Sequence, residues 1–192
     1  MSDLRPALFL DRDGTINVDT IHVSRPDNVR LIPGAASAIA RVNAVGMPII
    51  VISNQSGIGR GIFTVDDYES VRVRVDELLA AAGARVLTTY YCPHNPELAP
   101  GCECRKPGPA LYRQAAAEQN IDLASSWFVG DRLRDILPAK TFGGRGILVP
   151  SDTTPGGDVV AARDGFAIST SLGAAVDRIL SALPLSPPPR GG

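Results

Sequence analysis

The 192-residue chain contains no apolar run long enough to span a bilayer, and its N-terminus lacks the pattern of a secretory signal. Met1 to Pro6 is polar, and the first apolar run, Ala7 to Leu10, is too short for either purpose. Excess charge of one sign is missing as well. Nineteen basic and twenty acidic residues leave a formal charge of -1, which gives nucleic acid or an anionic membrane no electrostatic hold. A cytoplasmic location is therefore expected. Cysteine is scarce, and the odd count of three excludes a complete disulfide framework. Internal repeats, a linker within residues 1–183, heptads and long apolar edges are all lacking, so a single domain and a monomer are expected. Segment 184–192 is Pro-rich without periodicity and reads as a disordered tail.

Short apolar runs at 7–10, 47–52, 86–91 and 127–129 read as buried strands, with further strands at 146–149 and 166–168. Between them lie segments with helical spacing. One begins at Ala35 and closes at Gly46; another is opened by the N-cap pair Thr64 and Asp67 and runs to about Ala82. Others cover about 109–119, about 133–141 and 172–183. This alternation predicts a doubly wound parallel α/β sheet, a Rossmannoid architecture that places its sites beyond the carboxyl ends of the strands. Asp11, Ser53, Cys92 and Asp131 each follow directly after an apolar strand, so one shared site is predicted. Neither the interval from Asp13 to Ser53 nor that from Ser53 to Lys106 is large enough for a cap domain.

Four elements carry the chemistry. In LFLDRDGTIN, Asp11 and Asp13 follow a strand and Gly14 permits a sharp turn, so one carboxylate can attack phosphorus while the other moves a proton. In VGDRLRD, Asp131 and Asp135 follow another strand; Asp11, Asp131 and a backbone carbonyl near Asp13 would suffice for magnesium. Ser53 in ISNQSGIGRG offers a hydroxyl and glycine-rich backbone to a phosphate. Lys106, in CRKPGP, offers a cation for the transferred phosphoryl group. Each alone has a plain alternative: a polar loop start, a helix N-cap, or a solvated lysine.

Cys92, His94, Cys102 and Cys104 fall within thirteen positions and supply three thiols and one imidazole, the inventory of a closed tetrahedral zinc site. With four protein ligands no position is left for water, so the zinc is expected to be structural. The loop 92–108 that carries it would hold Arg105 and Lys106 at the mouth of the crevice.

In this order the four elements resemble the haloacid dehalogenase (HAD) superfamily of phosphotransferases, over nearly all of residues 7–183. The resemblance implies a HAD-like phosphatase without a large cap. It makes Asp11 the nucleophile, Asp13 the general acid/base, Ser53 and Lys106 phosphate ligands, and Asp11, Asp13 and Asp131 the Mg2+ site. Asp135 would pair with the lysine or support it from behind. Within the superfamily, FLDRDGTINVD, SNQSGIGRG, YYCPHNP, CECRKPGP and VGDRL are similar to the D-glycero-D-manno-heptose-1,7-bisphosphate 7-phosphatase family and, next to it, to histidinol-phosphate phosphatases. That implies removal of the 7-phosphate of a heptose bisphosphate in heptose biosynthesis through an aspartyl-phosphate, with Arg105 on the second phosphate or sugar and Asn54 and Gln55 lining the pocket. Ser53 replaces the usual threonine, and Ile21-His22-Val23 replaces Gly-Tyr-Val. His22 is expected to be exposed and Trp127 to be core; Arg60 is open between a phosphate contact and solvent. Histidinol phosphate is the alternative substrate. A signalling receiver module fits poorly, because its acceptor follows the third strand, and a zinc-stabilised binding protein fits poorly because every catalytic position is filled.

Overall fold

The structure, a computed structural model, describes residues 4–20 and 22–183. The expected disordered tail, 184–192, lies outside these residues, as does Ile21. Six strands form one parallel sheet: β1 (Leu8–Leu10), β2 (Ile49–Asn54), β3 (Thr88–Cys92), β4 (Trp127–Gly130), β5 (Arg145–Leu148) and β6 (Ala167–Ile168), in the order β3-β2-β1-β4-β5-β6. The chain winds outward from β1 to β3, then returns to lay β4 on the other side of β1. Phe9 therefore faces Ile50 on one flank and Phe128 on the other. This reversal opens a crevice beyond the ends of β1 and β4.

The strands are apolar on both faces because helices cover both. Leu8, Leu10, Ile49, Val51, Trp127 and Val129 pack against α1 (Ala35–Ala44), α3 (Val65–Ala81) and α8 (Leu172–Ser181). Phe9, Ile50, Ile52 and Phe128 alternate with them and meet α4 (Ala110–Gln119) and Ala139 on the opposite side. The doubly wound, uncapped α/β architecture is as expected. Trp127 is buried in the core, with Arg145 lying 5.0 Å above its ring.

The expected helix at 133–141 is two short helices, α5 (Leu133–Ile136) and α6 (Pro138–Phe142). Pro138 has no N–H to continue the first and starts the second. In the glycine-rich loop, Ser56–Gly59 closes into one helical turn, α2. The sequence reading missed α7 (Gly156–Ala162), whose opening Gly-Gly is a poor helix former. Asp158 accepts a hydrogen bond from the Leu133 N–H at 2.9 Å, and Ala162 is buried beneath the helix. No helix among the described residues is long and apolar enough to cross a membrane.

Phe128 is fully buried, stacked on Phe9 at 5.1 Å and tilted against Tyr112 at 5.5 Å. Phe128→Ala is expected to cost about 3–5 kcal/mol in denaturant unfolding, since the aromatic cluster cannot collapse into the space.

Candidate active site

β1 ends at Leu10 and delivers Asp11, whose N–H donates to the Val129 carbonyl of β4 at 3.0 Å. The chain then turns through Gly14, at φ 85°. A Cβ there would lie 2.4 Å from Asp131 Oδ2, so only glycine lets the loop after β1 close against Asp131. Asp11, Asp131 and Asp135 consequently bring carboxylate oxygens within 4.8 Å of one another.

Lys106 reaches into this group. Its Nζ donates to Asp11 Oδ1 at 2.6 Å and to the Ile52 carbonyl at 2.6 Å, and pairs with Asp135 Oδ1 at 2.8 Å. The lysine is only 3% exposed, against the solvated default for a lysine on a loop. Burial works to lower its pKa, but Asp11 and Asp135 outweigh burial and raise it, so it stays a cation. Asn54, at the end of β2, fixes the backbone: the Lys106 N–H donates to Asn54 Oδ1 at 3.0 Å, and Asn54 Nδ2 donates to the Lys106 carbonyl at 3.3 Å. Asn54 thus borders the crevice, as expected, and also anchors the lysine.

Burial pushes the Asp11 carboxyl up to about 7; Lys106 opposes this, while Asp135, Asp131 and Asp13 add to it. Burial likewise raises Asp131, against a hydrogen bond from Ser151 Oγ to its Oδ2 at 2.7 Å. Among the described residues, no hydrogen bond uses the second oxygen of Asp11 or of Asp131. Crowded acids with two oxygens to spare form a donor set that fits a hard divalent cation. Asp135 fits less well, because Lys106 takes one oxygen and the Arg132 N–H, at 2.9 Å, takes the other.

Asp13 lies on the other side of the turn. Its carboxylate accepts from Arg12 Nε at 3.1 Å and Nη2 at 2.8 Å, from Asn17 Nδ2 at 2.9 Å and from Gln55 Nε2 at 2.8 Å. Burial raises its pKa, but Arg12, Asn17 and Gln55 together bring it below the usual carboxylate range. Gln55 also donates to Ser53 Oγ at 2.7 Å, which ties the second segment to the first. Arg12 is itself buried, with its guanidinium 5.1 Å above the Tyr68 ring. The sequence reading missed Arg12, Asn17 and Ser151. An arginine between two acids was the one available clue; Ser151 lies twenty residues beyond Asp131 and carried none.

These side chains line a crevice of about 230 Å³ that includes Asp11, Asp13, Ser53, Asn54, Gln55 and Asp131. His22, Arg105, Arg132 and Arg134 also line it. His22 is exposed, as expected, and sits at φ 65°. Arg60 does not reach the crevice; it pairs with Glu97 of the cysteine-rich loop at 2.8 Å.

That loop brings its four predicted ligands together. His94 Nδ1 lies 3.0 Å from Cys102 Sγ and 3.2 Å from Cys104 Sγ; Cys92 Sγ lies 3.7 Å from His94 Nδ1 and 3.8 Å from Cys102 Sγ. A tetrahedral ion with bonds of about 2.3 Å separates its ligands by about 3.8 Å, so these four side chains could hold zinc with small adjustments. Burial raises Cys104 and Cys92, whereas Cys102, despite burial, is drawn down to about 6 by hydrogen bonds from Cys104, His94 and the backbone. Three sulfurs this close cannot all ionise unless a cation joins them.

The HAD-hydrolase-like family model matches residues 103–175. A D-glycero-beta-D-manno-heptose-1,7-bisphosphate 7-phosphatase of Yersinia pestis is 42% identical over 144 residues, 72% of this chain and 77% of that protein. The Pseudomonas aeruginosa protein of that name is 40% identical over 146 residues, 76% of this chain and 81% of its own. A crystal structure of a D,D-heptose 1,7-bisphosphate phosphatase from B. bronchiseptica, complexed with magnesium and phosphate, superposes with a TM-score of 0.82 at 33% identity, covering 93% of this chain and 99% of that one. The chain belongs to the heptose-bisphosphate phosphatase family of HAD-like hydrolases. It is a phosphomonoester hydrolase.

The buried lysine of this phosphatase yields a stability prediction. Lys106→Met leaves two carboxylates buried without their cation, and is expected to cost about 3–5 kcal/mol at neutral pH in metal-free buffer. Lys106 lowers the Asp11 pKa, so its loss moves Asp11 above about 7. An acid whose folded pKa exceeds its unfolded value of about 4 takes up a proton on folding, and its stability rises as pH falls. The deficit measured by urea unfolding should therefore narrow as pH falls toward about 7 and change little below it, because there Asp11 takes up its proton with or without the lysine.

Proposed function

We propose that the chain removes the 7-phosphate of D-glycero-D-manno-heptose 1,7-bisphosphate through an aspartyl-phosphate on Asp11. The observation that carries this reading is the Asp11 carboxylate, held by Lys106 in a polar crevice that Asp13, Ser53 and Asp131 also line. Attack by Asp11 forms an O–P bond while the P–O bond to the sugar breaks, and Asp13 gives the leaving oxygen its proton. Asp13 then takes a proton from the water that displaces phosphate from Asp11. The donors around Asp13 hold it ready for this second step. For the first, a phosphate dianion arriving beside it raises its affinity for a proton, as any like charge does. Ser53 and Lys106 bind the transferred phosphoryl oxygens. Mg2+ held by Asp11, Asp131 and the Asp13 backbone would supply positive charge at those oxygens.

Arg105 binds the second phosphate or the sugar, and Asn54 and Gln55 line the pocket. The buried Nη1 of Arg105 has no hydrogen-bond partner, which favours an anionic substrate end over the ammonium of histidinol phosphate. Cys92, His94, Cys102 and Cys104 would hold Zn2+, which would fix the loop that presents Arg105 and Lys106. Free thiolates for zinc suit a reducing cytoplasm. Residues 1–183 act as one domain, supported by the single sheet whose strands come from both ends of the described chain.

Phosphate release should be magnesium-dependent and strongly favour the heptose bisphosphate over histidinol phosphate, and Asp11→Asn should abolish it. A preference for histidinol phosphate would overturn the substrate alone; turnover by Asp11→Asn would overturn the nucleophile. Stripping zinc with a chelator should lower the melting temperature, and an unchanged melt with the metal gone would refute its structural role.

A further inference from the structure

Arg105, Arg132 and Arg134 line the crevice, Arg60 lies outside it, and their partners differ. Arg132 is committed: its Nη2 donates to Thr153 Oγ1 at 2.9 Å and its Nε lies 3.4 Å from Asp131. Arg60 is committed to Glu97. Arg105 and Arg134 both line the crevice, and among the described residues neither guanidinium has a hydrogen bond or an ion pair. Arg105 even buries its Nη1 unsatisfied. Both guanidiniums lie on the wall of one crevice of about 230 Å³.

Their separation is set by the centre of the site. Arg105 immediately precedes Lys106, and Arg134 immediately precedes Asp135. The 2.8 Å ion pair of Lys106 with Asp135 joins these two segments, one from the cysteine-rich loop and one from α5. Two unpaired guanidiniums on one crevice, one with a buried donor unmet, offer an anion complementary charge and donors. A phosphate dianion offers enough oxygens for both planar forks.

We propose that Arg134 is the second cationic ligand, beside Arg105, for the substrate phosphate that is not hydrolysed. This rests on the bisphosphate reading above. The phosphate that reacts is taken by Asp11, Ser53 and Lys106; the other one spans the two arginines and sets the preference for bisphosphates.

The test compares kcat/KM for the heptose 1,7-bisphosphate with that for the same heptose carrying only the 7-phosphate, in wild type, Arg134→Gln and Arg134→Lys. Removing a charge-assisted contact to phosphate should reduce the ratio of the two values by about 10- to 100-fold in Arg134→Gln, mainly through KM for the bisphosphate. Arg134→Lys should recover part of it. If wild type prefers the bisphosphate and Arg134→Gln keeps the same ratio, or loses equally on both substrates, the role of Arg134 is overturned and the bisphosphate reading stands. If wild type itself shows no preference for the bisphosphate, that reading falls and the role of Arg134 falls with it.

Discussion

The site is organised around one ammonium group. Lys106 Nζ touches Asp11 from the end of β1, the Ile52 carbonyl of β2 and Asp135 of α5, in a position closed to water. A buried cation demands this much compensation, and each compensating group comes from a different part of the chain. The lysine therefore sets the register of the crevice: Asp11 cannot turn toward solvent, and Asp135 cannot leave, without stranding a charge. Asn54 holds the backbone on which the lysine stands. The Arg60–Glu97 pair and the Gly59 N–H to the Pro93 carbonyl, at 2.9 Å, fasten the adjoining cysteine-rich loop to the turn after β2.

Around the lysine, electrostatics divide the two acids of the first motif. Asp11 is buried, with other carboxylates beside it, and gains a proton readily when no metal is present. Asp13, surrounded by Arg12, Asn17 and Gln55, releases its proton. The division follows from position: Asp11 sits at the sheet end among the acids of β4 and α5, whereas Asp13 lies beyond a turn, beside a buried arginine. A divalent cation would reverse the state of Asp11 and leave Asp13 largely as it is.

Much of this was legible in the sequence because the signals were local. Apolar runs ending at Asp11, Ser53, Cys92 and Asp131 gave both the parallel sheet and the common edge where its site lies. The spacing of Cys92, His94, Cys102 and Cys104 marked a cluster that the fold does close. What stayed hidden depends on distant packing. Nothing near Lys106 in sequence shows that it is buried, since its partners lie from 29 to 95 residues away. Ser151 and Thr154 reach Asp131 from the loop after β5, and Arg12 is recognisable as a clamp only once Tyr68 is seen beneath it. Helix α7 was missed because Gly-Gly disguises its start; its place is fixed by the Asp158 bond to α5 and by burial of Ala162.

The central claim is that Asp11 carries the phosphoryl group. The most direct measurement is a rapid acid quench of the magnesium-loaded enzyme during turnover of substrate labelled at the 7-phosphate, followed by peptide mapping. A transient label is expected on the peptide containing Asp11, confined to that aspartate. A label on another residue, or turnover with no covalent label at any time point, would contradict it.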